Sequence, residues 1–128
     1  MSLRDDLRTV QSKAPFGAVI ERLHNIINER GLTLFAEIDH AQNAREAGLE
    51  MPETRVLIFG SGRAGTPLML AAPDIALELP LRILIREEPD GSTALVYLDP
   101  ISLASAFGLD DMASSIAGLS AIAQAVSQ

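Results

Sequence analysis

Cysteine is absent from the 128-residue sequence, and several kinds of site are absent with it. Without a thiol the chain has no disulfide, no thiolate nucleophile and no zinc site of the cysteine type. Long apolar runs are missing too, since no stretch reaches the roughly 18 residues that a membrane-spanning helix needs. The N-terminal segment, MSLRDDLRTV, lacks the basic and then apolar order of a signal peptide. We therefore expect a cytoplasmic protein that has no membrane partner.

Basic residues are scarce as well, because 10 of them face 17 acidic residues and the net charge is -7. A protein that binds nucleic acid needs a basic patch to meet the phosphates, so we predict that nucleic acid is not a partner. Apolar residues make up 48% of the chain, which argues for a folded core and against disorder. This length is enough for one compact domain, which we predict over residues 1–128.

Apolar periodicity and turn residues predict five strands, at 5–13, 32–38, 55–59, 81–86 and 93–98. Helices are predicted at 15–31 and 39–48, from Thr66 to a break at Pro73, and after Asp110. Asp90-Gly91 is a strong hairpin signal between the last two strands, which must then run antiparallel. We therefore predict an α+β two-layer sandwich: a mainly antiparallel five-stranded sheet with helices on one face. The strand at 93–98 is apolar on both sides, so we expect a second subunit to cover the other face.

The stretch from Met51 to Pro80 is the strongest candidate for a site. Its glycine turn, Gly60–Gly65, reads GSGRAG, follows a strand and fits the dinucleotide motif G-x-G-x-x-G. Thr66-Pro67, however, predicts a helix that starts only after the third glycine, and Pro73 cuts that helix short. The hairpin that follows leaves no second nucleotide-binding half. We therefore predict neither a dinucleotide nor any other cofactor.

A weaker anion site stays open at the same turn. Backbone N–H groups at a glycine-rich turn and a helix start favour anions. Gly65, Thr66 and the Arg63 guanidinium are therefore candidate ligands for a carboxylate or a phosphate. The structural alternative is a turn whose glycines only supply positive φ angles.

Asp39 and His40, at the end of the second strand, form the other candidate site. A carboxylate beside an imidazole suits acid–base chemistry or metal binding. Asp39 also has a structural explanation, because Asp39 with Gln42 three residues later makes a capping-box pattern. His40 has no comparable explanation, so it is the first residue to mutate. No resident metal is predicted.

Several separated motifs resemble the domain-of-unknown-function family 302, over roughly residues 5 to 100. The motifs are Gly31–Ala36, Ile38–His40, Ala44 with Ala47–Leu49, Thr54 with Val56–Gly60, Ala64–Met69, and Leu79–Leu81. Ser61-Gly62 stands where the family pattern has Asn-Pro, which suggests that the dinucleotide motif arose here by chance. The resemblance implies a TATA-binding-protein-like order of strand, helix, four strands and helix, without implying DNA binding. It also implies homodimers, and it brings no established activity.

These observations together predict a small dimeric binding module. Its pocket would lie between the Asp39-His40 corner and the Gly65-Thr66 helix start, and would take a small anionic or polar ligand. One alternative is a metal-dependent enzyme that uses His40 and Asp39. Another is a protein–protein interaction module without a pocket.

Overall fold

A computed structural model describes residues 4–128 (of Ser115, the backbone alone) and arranges five strands in one sheet. The strands are β1 (Leu7–Ser12), β2 (Thr33–Asp39), β3 (Thr54–Gly60), β4 (Leu81–Glu87) and β5 (Thr93–Leu98). Their order across the sheet is β1-β5-β4-β3-β2, and every neighbouring pair is antiparallel. The predicted mainly antiparallel five-stranded α+β fold is confirmed.

The helices are α1 (Phe16–Glu29), α2 (His40–Glu46), α3 (Gly62–Ala71), α4 (Pro100–Ala106) and α5 (Gly118–Ser127). Two 3₁₀ segments, Pro73–Leu77 and Asp110–Ser115, precede β4 and α5. The last helix begins at Gly118 and not at Asp110. Ser114 and Gly118 lie within the predicted stripe and are weak helix formers, which explains the later start. None of the helices described has both the length and the hydropathy to cross a bilayer.

The main core lies between α1, α5 and one face of the sheet. Alternate residues of the three central strands point into it and are fully buried, namely Leu57, Phe59, Ile83, Ile85 and Leu95. The predicted stripe of α1 meets them with Val19 and Leu23, which are also fully buried. Burial of such side chains contributes about 1.5–3 kcal/mol each, so this contact is the main source of stability.

The opposite face of the sheet stays partly exposed. Ile38, Val56, Leu84 and Val96 lie opposite one another in four adjacent strands and form an apolar row across this face. Val56, Leu84 and Val96 are half-buried, and Ile38 is 37% exposed. This is the face for which the sequence predicts a second cover.

A second core cluster lies beside α3. It joins α3, α4 and both 3₁₀ segments through Leu68, Ile75, Leu103, Leu109 and Ile116. Leu81, at the start of β4, packs against both clusters. The two clusters therefore meet near the end of β3 where the glycine turn begins.

Helix α3 begins earlier than the sequence predicts, and the prediction of a start at Thr66-Pro67 is wrong. The N–H groups of Ala64 and Gly65 donate to the Ser61 carbonyl at 3.1 and 2.8 Å, so helical bonding begins inside the glycine turn. Pro67 lies within the helix, where it cannot donate the usual bond. This start agrees with a dinucleotide motif, but β4 runs antiparallel to β3, whereas a dinucleotide unit needs parallel strands around its helix.

Candidate functional site

A cavity of about 530 Å³ opens where the two core clusters meet. Phe59, Leu119 and Ile122 of the main core form one side, and Met69, Leu79 and Ile116 of the second cluster form the other. Phe35 also lines the cavity although 54% of it is exposed. It sits where the pairing of β2 with β3 shifts register between Leu34 and Ala36. Such bulges redirect a side chain, and here the redirected ring reaches the cavity.

The glycine turn forms a wall of this cavity. Gly60, Gly62 and Gly65 all line it, and none of them has a positive φ angle. The structural alternative, glycines that serve only positive φ, is therefore wrong for this turn. A Cβ atom at Gly65 would meet Leu79 Cδ1 at 3.8 Å and Met69 Cε at 3.9 Å, which are ordinary contacts. Neither backbone strain nor a clash requires glycine at these positions. Their effect is therefore to leave the space beside them unfilled by side chains.

Among the described residues that line the cavity, two, Arg30 and Ser61, carry an oxygen or nitrogen in the side chain. Within residues 4–128 no acidic side chain lines the cavity, although the sequence has 17 acidic residues. Arg30 is the C-cap residue of α1 and Ser61 follows β3. Thr33 pairs with Gly60, so Arg30 and Ser61 flank the same end of the β2–β3 pair. The cavity thus combines an apolar body with a small polar region that contains one positive charge.

Of the five site residues predicted from the sequence, only Gly65 lines this cavity. Arg63 and Thr66 lie on α3 with exposed side chains and are not part of the lining. The arginine that lines the cavity is instead Arg30, which is not among the predicted site residues. Arg30 can be found from the antiparallel pairing of β2 with β3. Such pairing places the residues before β2 beside the residues after β3.

Asp39 and His40 lie at the other end of the β2–β3 pair. Asp39 pairs with Arg55 at the start of β3, whereas the glycine turn follows Gly60 at its end. A seven-residue strand separates the two places by about 20 Å. The structure therefore does not bring Asp39 and His40 together with Gly65 and Thr66, and a single small pocket between them is not formed. Whether any of these residues binds a ligand stays a prediction.

Asp39 belongs to a network of charges between α1, β2 and β3. Arg55 Nη1 donates to Glu37 at 2.9 Å, and Arg55 Nε lies 3.4 Å from Asp39 Oδ2 without the alignment of a hydrogen bond. His24 Nε2 lies 2.8 Å from the other oxygen of Glu37. The Arg55 guanidinium also stands 5.5 Å from the centre of the Phe16 ring. These contacts tie the helix to the strands.

Helix α2 gives Asp39 its second contact. The Asp39 carboxylate accepts the backbone N–H of Gln42 at 3.0 Å, which is the predicted N-cap. The Gln42 side chain turns instead to Arg45 and Glu46, so the reciprocal bond of a capping box is missing. His40 is exposed and has no ion pair or side-chain hydrogen bond to any residue within 4–128. In that part of the chain, no three His, Asp or Glu side chains converge to hold a metal ion.

The chain matches the domain of unknown function DUF302 over residues 8–128. It belongs to this family. A crystal structure of a DUF302 protein from Bacillus stearothermophilus covers 98% of this DUF302 chain with a TM-score of 0.84, at 18% sequence identity. The match includes 100% of the Bacillus chain and extends the shared fold through α5, beyond the part of the sequence that carries the motifs.

Two curated relatives of this DUF302 chain are named as fluoride-specific ion channels. One, from Brucella suis, is 38% identical over 103 residues, which are 80% of this chain and 41% of the relative. The other, from Brucella abortus, is also 38% identical, over 38% of its length. The chain thus spans about two fifths of the length of the curated relatives it matches.

The contacts of Asp39 and His40 predict different effects on stability. Asp39→Ala removes an N-cap and one partner of Arg55, and should lower the free energy of unfolding by about 1 kcal/mol or more. His40→Ala removes no side-chain hydrogen bond or ion pair within residues 4–128 and should change the free energy of unfolding by less than about 0.5 kcal/mol. Urea unfolding of both variants and the wild type measures the difference. Equal destabilisation by the two substitutions would contradict this assignment.

Proposed function

We propose that this DUF302 protein is a binding module that holds one small ligand in the cavity. The observation that carries the proposal is the cavity itself, whose volume of about 530 Å³ is in the range of small-molecule sites. Its lining also has the usual character of such sites, with mostly apolar walls and a few polar groups that fix orientation. The ligand-binding module of the sequence analysis is kept, but its pocket moves to the glycine turn and away from Asp39 and His40.

The two alternative functions gain less support. A metal-dependent enzyme would use Asp39 and His40. The Asp39 carboxylate, however, is already in contact with Gln42 and Arg55, and the His40 imidazole is exposed to solvent. An interaction module without a pocket leaves the cavity and its three glycines unexplained. We therefore rank both below the ligand-binding module.

Fluoride enters the proposal only as an ion to test. The Brucella relatives are named for fluoride transport by whole proteins, of which this chain matches about two fifths. A fluoride ion is far smaller than the cavity and would find few donors on its apolar walls. We do not propose fluoride as the ligand, and sodium fluoride serves as a small-anion comparison in the experiments.

We also propose that two copies pair through the exposed face of the sheet. The apolar row of Ile38, Val56, Leu84 and Val96 supports this, since such a row gains free energy when it leaves water. None of these four residues lines the cavity, so we expect pairing through this row to leave it accessible. A cytoplasmic location stays a prediction that cell fractionation tests.

Filling the cavity should abolish binding of an apolar anion. We choose 8-anilinonaphthalene-1-sulfonate as the probe, because its fluorescence rises in apolar surroundings. Gly65→Leu places a side chain in the cavity and should remove saturable probe binding. It should keep or raise the Tm, since leucine is a better helix former than glycine by about 0.5–1 kcal/mol. A fluorescence titration measures binding, with sodium fluoride as a competing ion.

Gly17→Leu is the matched control, because Gly17 is an exposed helical glycine that does not line the cavity. This variant should bind the probe as the wild type does. The proposal fails if Gly65→Leu and the wild type bind the probe equally, or if the folded wild type shows no saturable binding.

A charge in the apolar row should separate the two copies. Leu84→Glu places a carboxylate at the centre of the row, where burying it in a dimer would be costly. The wild type should have twice the mass of one chain in light scattering, and Leu84→Glu the mass of one chain. Leu77→Glu, at a residue 86% exposed in the 3₁₀ segment before β4 and outside the row, should stay dimeric. A monomeric wild type at high concentration would contradict pairing.

A further inference from the structure

We infer that the ligand of this cavity is a molecule with an apolar body and one anionic group, and that Arg30 holds the anionic group. The inference rests on the proposed binding module and adds the chemical class of its ligand. Its basis is the charge of the cavity lining, the absence of a hydrogen bond or ion pair at Arg30 within residues 4–128, and the apolar composition of the walls.

The charge of the lining favours an anion over a cation. Among the residues that the structure describes, Arg30 is the only charged one that lines the cavity. An ammonium group would find no carboxylate there, although acidic residues outnumber basic ones 17 to 10 in the whole sequence. An anion, in contrast, would meet a guanidinium, which binds carboxylates and sulfonates through two parallel N–H donors.

Arg30 is available for such a contact. Six arginines form ion pairs with carboxylates, namely Arg4, Arg8, Arg45, Arg55, Arg82 and Arg86. Arg22 donates to backbone carbonyls near the end of α5. Among the arginines, only Arg30 and Arg63 have side chains without a hydrogen bond or ion pair within residues 4–128. Of these two, only Arg30 lines the cavity.

The position of Arg30 has a structural use as well. A cation at the C-terminal end of a helix interacts favourably with the helix dipole, by about 0.3–1 kcal/mol. Lysine at this position would have the same effect on stability, and so would an arginine turned away from the cavity. A stability measurement therefore does not distinguish a binding role for Arg30 from a purely structural one, whereas a measurement of ligand selectivity does.

The walls limit what else the ligand can carry. Beyond Arg30 and Ser61, no side chain that the structure describes brings an oxygen or nitrogen to the lining, so a sugar or a nucleobase would bury polar groups with few side-chain partners. A ligand with several phosphates would need more than one cation. One anionic group with a hydrocarbon body satisfies both limits, because the body meets Phe59, Met69, Leu79 and Ile122.

The test compares three probes of equal chain length: decanoate, 1-decanol and decyltrimethylammonium. Their affinities are measured by displacement of anilinonaphthalene sulfonate from the wild type, Arg30→Gln, Arg30→Lys and Arg63→Gln. We expect the wild type to bind decanoate roughly fivefold more tightly than decanol, as a partly exposed charge-assisted contact allows. The difference should shrink as salt is raised.

Arg30→Gln should lower decanoate affinity to that of decanol and leave decanol affinity unchanged. Arg30→Lys should keep most of the preference. Arg63→Gln is the matched control, since Arg63 is also unpaired within the described residues but lies outside the cavity, and it should behave as the wild type.

Two results would overturn the inference in different ways. If decanoate and decanol bind equally and Arg30→Gln changes neither affinity, the ligand class is overturned and the binding module stays intact. Equally tight binding of the ammonium probe would have the same consequence. No binding of any probe to the folded wild type overturns the proposed function together with the inference.

Discussion

The antiparallel pairing of β2 with β3 determines where every candidate residue of this protein lies. Its register sets Thr33 opposite Gly60 and Asp39 opposite Arg55. One end of the pair therefore receives the glycine turn together with Arg30 at the end of α1. The other end receives Asp39, His40 and the charges around Arg55. A parallel arrangement of the same strands would have placed Asp39 beside the glycine turn instead.

The cavity follows from the way two sets of side chains pack around this pair. The main core closes against α1 and α5, and the second cluster closes beneath α3, but glycines occupy the wall between them. A Cβ atom at Gly65 would make ordinary contacts with Leu79 and Met69, so the packing itself does not require glycine at this position. A glycine inside a helix lowers stability by roughly 0.5–1 kcal/mol relative to alanine. A fold that keeps such a glycine beside an unfilled cavity is consistent with a use for the space.

Much of the fold could be predicted from the sequence, because local signals agree with the final structure there. The alternation in the central strands, the stripe of α1 and the turn at Gly91, which has a φ angle of 86°, all depend on neighbours in sequence. The start of α3 could not be predicted in this way. Thr66-Pro67 has the form of a helix start, yet the Ser61 carbonyl accepts helical bonds several residues earlier.

The site was harder to predict because it depends on which strands are neighbours. Arg63 belongs to the glycine turn in sequence but does not line the cavity, whereas Arg30, at the end of α1, does. Neither composition nor periodicity contains this information. Asp39 was identified correctly as a helix cap, and that role together with Arg55 accounts for its carboxylate.

The central claim is that ligands bind in the cavity beside the glycine turn, and methyl NMR during a decanoate titration tests it most directly. Met69 lines the cavity, whereas Met51 and Ile38 lie away from it with exposed side chains. The account predicts saturable shifts of the Met69 and Ile122 methyl signals, with the Met51 and Ile38 signals unchanged. Shifts confined to Ile38 and Met51, with Met69 unaffected, would contradict it.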